Sequence, residues 1–312
     1  MQHTIADGPK PWTQSAPNYE ADSVRFAIFS DLTGGERKDV FNLAVAQMNL
    51  LRPELVVNVG DLIEGSPDRA EIDQQWQSFD ERAERSTAPV LYTGGNHDLL
   101  DQVLREAWED RNGPRYYHVR YRDVLFLILD TEDHSLERLN EIAAMRTKAI
   151  EIAKTSGWDA FARTAYANLP EDETGMISQA QADYMHAAIS NNADAKWTFL
   201  LLHKAPWAND DMATWQSIEA ALGEKPYTVF HGHRHSYQHQ TRNGRDYVRL
   251  ATTGGVFLPD SGQSLDHIVW VTVDGEGAHI ANLKMSGIFD KTGKRPLNGD
   301  ELCLDSKDCP QD

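Results

Sequence analysis

Cysteine is nearly missing from this chain of 312 residues: Cys303 and Cys309 stand alone, both near the end. Two thiols without a neighbouring histidine do not make a zinc site, and a cysteine nucleophile has little behind it. A disulfide between them and a pair of free thiols are both open. Long apolar runs are missing too. Stretches such as 124–129 and 199–202 are strand-sized, so no transmembrane helix is expected. Basic charge is in deficit, with 30 Lys and Arg against 48 Asp and Glu and a formal charge of −18. That balance gives no footprint for duplex nucleic acid or an anionic membrane. Small phosphate esters stay within reach, because a bound divalent cation inverts the local field. The first residues carry Pro9, Pro11 and Pro17 and none of the regions of a signal peptide. A loose lead-in over 1–22 is expected, and the compartment is left open. A serine hydrolase based on Ser178 is disfavoured by the lack of a G-x-S-x-G elbow.

What is present is a chain with 40% hydrophobic and 25% charged residues, enough for one large core. The first strand is expected over 24–30 (VRFAIFS), ending at Asp31 before Gly34 and Gly35. Phe41, Leu43, Ala44, Met48 and Leu51 then recur at near-helical spacing up to Pro53, and 55–59 reads as a second buried strand ending at Gly60-Asp61. A helix over 68–85 and a strand over 89–93 repeat the pattern and deliver Gly94-Gly95-Asn96-His97-Asp98. Further strands are expected over 124–130, 197–202 (running into His203), 228–230 (running into His231-Gly232-His233-Arg234-His235), 247–252, 268–273 and 278–285. Residues 136–168 read as a helical insertion with Leu136, Leu139 and Ile142 on one face, and Ser178 opens a later helix. Early alternation of strands and helices followed by hairpin-like strands predicts an α/β (α+β mixed) domain, a mixed sheet or sandwich covered by helices. It is expected to span 23–290, with an insertion at about 135–170 and a polar tail at 291–312.

The polar clusters all follow apolar strands, the places where α/β sheets gather ligands. Asp31, Asp61, Asn96, His203, His233 and His235 are oxygen and nitrogen donors suited to Mn, Fe or Zn. Singly, each also reads as a turn, cap or surface residue. Together SDLTGG, VGDL, GGNHD, LLHK and HGHRH occur in that order, each after a strand, and chance explains this poorly.

The series resembles that of the calcineurin-like metallophosphoesterases, D-x-H, G-D, G-N-H-D/E, H and G-H-x-H, over about residues 24–255. The resemblance implies a four-layer α/β/β/α sandwich of two mixed sheets flanked by helices. It also implies two divalent metal ions and hydrolysis of a small phosphomonoester or phosphodiester by water activated on the metals. It gives Asp61 to both metals, Asp31 and His235 to one, and Asn96, His203 and His233 to the other. His97 becomes general acid or phosphate contact, oriented by Asp98. Thr33 stands where the family's first motif has histidine, which leaves the Asp31/His235 metal short of a ligand and weak. A D-x-T-G-G form among bacterial members resembles this departure. The competing reading is a non-catalytic metal-binding scaffold for a protein partner. Arg37, Asn96 and Thr33 are candidate substrate contacts, with Arg37 equally readable as a solvated cation. Lys204 and Arg234 are expected as surface cations. Trp207, Tyr237 and Phe257 are expected as core aromatics more than as a wall for the leaving group.

Overall fold

The computed structural model describes residues 22–258, 263–307 and 309, so the expected lead-in lies, Asp22 apart, outside the described residues. Strand β1 (Val24–Phe29) is followed by α1 (Val40–Leu51), β2 (Leu55–Asn58), α2 (Arg69–Ala83), β3 (Val90–Leu91), α3 (Asn96–Leu99) and α4 (Gln102–Asn112). The hairpin β4 (Tyr117–Tyr121) and β5 (Val124–Ile128) leads into the insertion, α5 (Leu136–Ser156), α6 (Trp158–Phe161) and α7 (Pro170–Glu173). Then come α8 (Gln179–Asn191), β6 (Trp197–Leu201), α9 (Ala213–Leu222), β7 (Tyr227–His231), β8 (Gln238–Arg242), β9 (Arg245–Arg249), β10 (His267–Val273) and β11 (Ala278–Lys284).

Two mixed sheets result, in the orders β11-β10-β1-β2-β3 and β4-β5-β6-β7-β9-β8. In the first, β1, β2 and β3 are parallel; in the second, β5, β6, β7 and β9 are. Of these, β1, β2, β5, β6 and β7 carry apolar residues on both faces, as strands covered on both sides do. Side-chain alternation divides them between layers. Phe26, Ile28, Leu55, Val57, Phe126, Phe199, Leu201 and Phe230 fill the space between the sheets. Their ring contacts have centroids 4.9 Å (Phe26–Phe199) to 5.9 Å (Phe199–Phe230) apart. Ala27, Phe29 and Val56 face α1, α2 and α4, whereas Leu200, Leu202 and Val229 face α8 and α9. The expected four-layer sandwich is therefore the architecture.

Helix starts follow the sequence signals: Asp68, Asp101, Ser135 and Ser178 each accept a hydrogen bond from a backbone amide of the turn they open. Ser178 is thus a cap and not a nucleophile. In the insertion, Leu139, Ile142 and Ala149 are buried, but Leu136, expected on the same face, is exposed. The tail departs further from expectation. Leu304 is buried, its carbonyl accepts from Asp266 N at 2.9 Å, and a 3-10 segment (Pro296–Glu301) brings Gly299 against Leu43. Cys303 and Cys309 are joined in a disulfide. Among the described residues no helix is long and apolar enough to cross a membrane.

Candidate metal centre

The parallel strands β1, β2, β3, β6 and β7 end on one side of the sandwich, and the loops that follow them meet there. Asp31 and Asp61 are 0% and 2% exposed, so both carboxylates sit where water cannot solvate them. The ligand atoms of Asp61, His203 and His233 lie within 4.8 Å of one another, as do those of Asp31, Asp61 and His235. Asp61 belongs to both groups. His203 Nε2 is 3.2 Å from Asp61 Oδ2 and 3.1 Å from Asn96 Oδ1, which brings Asn96 into the first group. His235 Nε2 is 3.5 Å from Asp31 Oδ1.

Each histidine has one ring nitrogen tied to a backbone carbonyl, which can only accept, so that nitrogen carries the proton and the other offers a lone pair. His203 Nδ1 donates to Val59 O (2.8 Å), His235 Nδ1 to Val256 O (2.7 Å) and His233 Nε2 to Asp172 O (2.7 Å). His233 Nδ1 is buried and has no hydrogen-bond partner. An orphaned buried acceptor is costly unless something fills it. Two buried carboxylates, three imidazole lone pairs and an amide oxygen suit divalent Mn, Fe or Zn. The residues present fit such cations.

The same charge balance sets the direction in which each group's pKa is pushed. Burial pushes the Asp31 carboxyl up, with His235 and His203 opposing it. Burial also works against ionised Asp61, yet His203 and His97 together hold its carboxyl well below the usual range. His203 is raised to about 9: burial disfavours its cation, and Asp61 beside it outweighs burial, so a metal cation would take the Nε2 lone pair by displacing a proton. Burial and then Lys204 push His233 well down, consistent with a neutral ring. Asp61 thus draws positive charge toward the position shared by both groups.

The backbone here is held in conformations that most residues avoid. Asp31 (φ 42°), Asp61 (58°), His233 (75°) and His235 (47°) are all left-handed. Each such residue costs about 1–3 kcal/mol, a strain that collects at functional sites. Packing explains the glycines of the motifs. A Cβ on Gly95 would lie 2.3 Å from Asp61 Oδ1, one on Gly232 2.3 Å from Asp31 Oδ2, and one on Gly60 2.7 Å from His203 Nδ1.

Several expected roles change. Asp98 does not orient His97: its carboxylate accepts from the amides of Gly95 (2.8 Å), Asp61 (2.9 Å), Leu62 (3.0 Å) and Ile63 (3.1 Å). His97 Nδ1 donates instead to Glu64 O at 2.8 Å. Thr33 Oγ1 donates to Asp61 O at 3.2 Å, so the hydroxyl braces the shared aspartate's peptide. Arg37 is neither a phosphate contact nor a solvated cation. Its guanidinium binds Asp266 (2.6 Å), Gly255 O (2.9 Å) and Cys303 O (2.8 Å) and lies over the Phe257 ring. Lys204, expected at the surface, is buried and paired with the equally buried Glu132 at 2.8 Å. Arg234 pairs with Glu173. Trp207 packs on His231 and Tyr247, and Tyr237 on His267.

Other contributors carried no signal in the sequence. The Glu64 carboxylate accepts from the amides of Gly34, Gly35 and Glu36 and so shapes the turn after Asp31. Ser30 Oγ donates to Asp31 Oδ2. The Asp172 carbonyl that fixes His233 belongs to the insertion, 61 positions away. Only the spacing of Glu64 after Asp61 could have hinted at any of these.

Solved structures share this fold at low sequence identity. A dimetal phosphatase from Danio rerio is 14% identical with a TM-score of 0.52, the match covering 84% of this chain and 99% of that one. A purple acid phosphatase from yellow lupin, Lupinus luteus, is 12% identical (TM-score 0.55), covering 86% of this chain and 53% of that one. A third, described as GAP50, the anchor in the inner membrane complex of Plasmodium, is 10% identical (TM-score 0.50), with 88% and 87% covered. A comparison with curated proteins finds no match. The sequence profile of the calcineurin-like phosphoesterases matches residues 24–237, the segment from β1 to the histidines after β7, and the chain belongs to that family.

Proposed function

We propose that the chain hydrolyses a phosphate ester with two divalent cations, Mn, Fe or Zn. One would be held by Asp31, Asp61 and His235, and the other by Asp61, Asn96, His203 and His233. The observation that carries this reading is the membership of Asp61 in both ligand groups, with every contributing histidine tautomer fixed by a carbonyl. Such a pair, when bound, lowers the pKa of a water and neutralises phosphoryl oxygens.

The chain's own residues orient the reactants. His97 N donates to Asp61 Oδ1 at 3.0 Å, fixing that carboxylate. With Nδ1 donating to the Glu64 carbonyl, Nε2 holds a phosphoryl oxygen or gives a proton to the departing one only as the imidazolium, a form that burial disfavours and the Asp61 carboxylate favours. A Cβ on Gly34 would be 3.2 Å from His235 Cε1 and 3.8 Å from His97 Nε2, so this glycine leaves the space between the two rings open.

Hydrolysis of p-nitrophenyl phosphate and bis-p-nitrophenyl phosphate, with and without added manganese, tests the proposal. Turnover that rises with metal supports it, and no turnover under any metal supply favours the scaffold reading. His97→Ala should lower turnover by about 10²–10⁴ with metal content nearly intact, most for poor leaving groups. Equal loss across leaving groups would reject the acid role and leave the phosphate contact.

A further inference from the structure

The insertion helix α5 brings one cation to the edge of the metal centre. Arg146 lines a cleft of about 110 Å³ together with Asn96 and His97. Its charge works against protonation of His97 and favours ionised Tyr166. Partly exposed, it makes no hydrogen bond or ion pair among the described residues. The other cations near the motifs are taken: Arg37 by Asp266, Lys204 by Glu132 and Arg234 by Glu173. The carboxylates of the same cleft are taken as well, Glu64 by the amides of Gly34 to Glu36 and Asp101 by the amide of Leu104. On a chain with 48 acidic and 30 basic residues, a guanidinium in no ion pair that lines a cleft with Asn96 and His97 is available to an anion from outside.

We propose that Arg146 binds a non-bridging oxygen of the substrate's phosphoryl group and so sets a preference for phosphomonoesters. This rests on the phosphoesterase reading above. A monoester is largely a dianion at neutral pH and offers its third oxygen to a cation, whereas in a diester that oxygen carries a second organic group. The guanidinium fork matches phosphoryl oxygens.

The test compares metal-loaded wild type, Arg146→Gln and Arg146→Lys on p-nitrophenyl phosphate and bis-p-nitrophenyl phosphate. Inorganic phosphate affinity by calorimetry and metal content by elemental analysis accompany the kinetics. In Arg146→Gln, kcat/KM for the monoester should fall about 10- to 100-fold, the loss of one hydrogen bond to a charged group, with the diester within about 3-fold. Phosphate affinity should fall by a similar factor at unchanged metal content, and Arg146→Lys should recover part of both. Equal losses on the two esters, or unchanged phosphate affinity, would overturn the proposal. If wild type turns over neither ester, the phosphoesterase reading fails and the calorimetry alone decides Arg146: weaker phosphate binding in Arg146→Gln supports its anion role, and equal binding rejects it.

Discussion

The Asp98 carboxylate gathers the amides of Gly95, Asp61, Leu62 and Ile63, and in doing so fixes the peptide that carries the shared aspartate. A side-chain amide cannot accept at both positions, so Asp98→Asn should lower stability by about 1–3 kcal/mol, the cost of leaving buried donors unmet. It should also weaken metal binding. Denaturant unfolding checks this, and unchanged stability with a loss of turnover alone would restore Asp98 to a role on His97. The motif letters G-N-H-D revealed that Asp98 belonged to the site but not what it touched. Three of its four partners lie on the loop after β2, 35 to 37 positions away, and sequence spacing holds no information about which remote amides a carboxylate will face. Thr33 illustrates the same limit. Its departure from histidine was readable, but its hydroxyl's use on the Asp61 carbonyl was not.

Among the elements, strands apolar on both faces were legible because parallel strands buried on each side need no polar residue. β4 and β8 were not, since their mixed faces, such as QHQTR in β8, lack a run or a clean alternation. Helices α4 and α9 went unread for the reverse reason, that short amphipathic stretches between strong motifs look like loops. The helical character of 136–168 was legible but its attachment was hidden. Lys204 at the end of β6 binds Glu132 after β5 and the Glu171 carbonyl of α7, locking the insertion beside His233. Lys204→Ala should therefore destabilise the fold by about 3–5 kcal/mol, because Glu132 is left buried and unpaired. A Lys204→Met, Glu132→Leu double variant should recover most of it in the same unfolding experiment; if it recovers none, the loss is not one of charge.

At the start of β10, His267 Nε2 accepts from Ala251 N at 2.8 Å, so the ring must be neutral there, and burial pushes its pKa down to about 4. The unfolded ring has an ordinary value of about 6.5 and binds its proton first as pH falls. The folded state's advantage is thus complete above about 6.5, is lost between about 6.5 and 4, and is gone below. Unfolding free energies of His267→Gln should fall less steeply than wild type across that window at saturating metal. Parallel pH curves would contradict this.

For the whole molecule, the formal charge of −18 argued against nucleic-acid and membrane footprints without touching the question of phosphate binding. Locally the field is governed by a few buried groups. The family and its four layers could be read because the motif order reflects strand order in the parallel portions of both sheets. The docked tail could not, since its contacts with Asp266 and Arg37 join residues remote in sequence. The central claim is that Asp61 holds two cations at once, and elemental analysis of metal bound per chain, wild type against Asp61→Asn, tests it most directly. Wild type should carry two metals and Asp61→Asn close to none, with both positions lost together; a variant that keeps one full equivalent, or both, would show that the two groups of ligands do not share this residue.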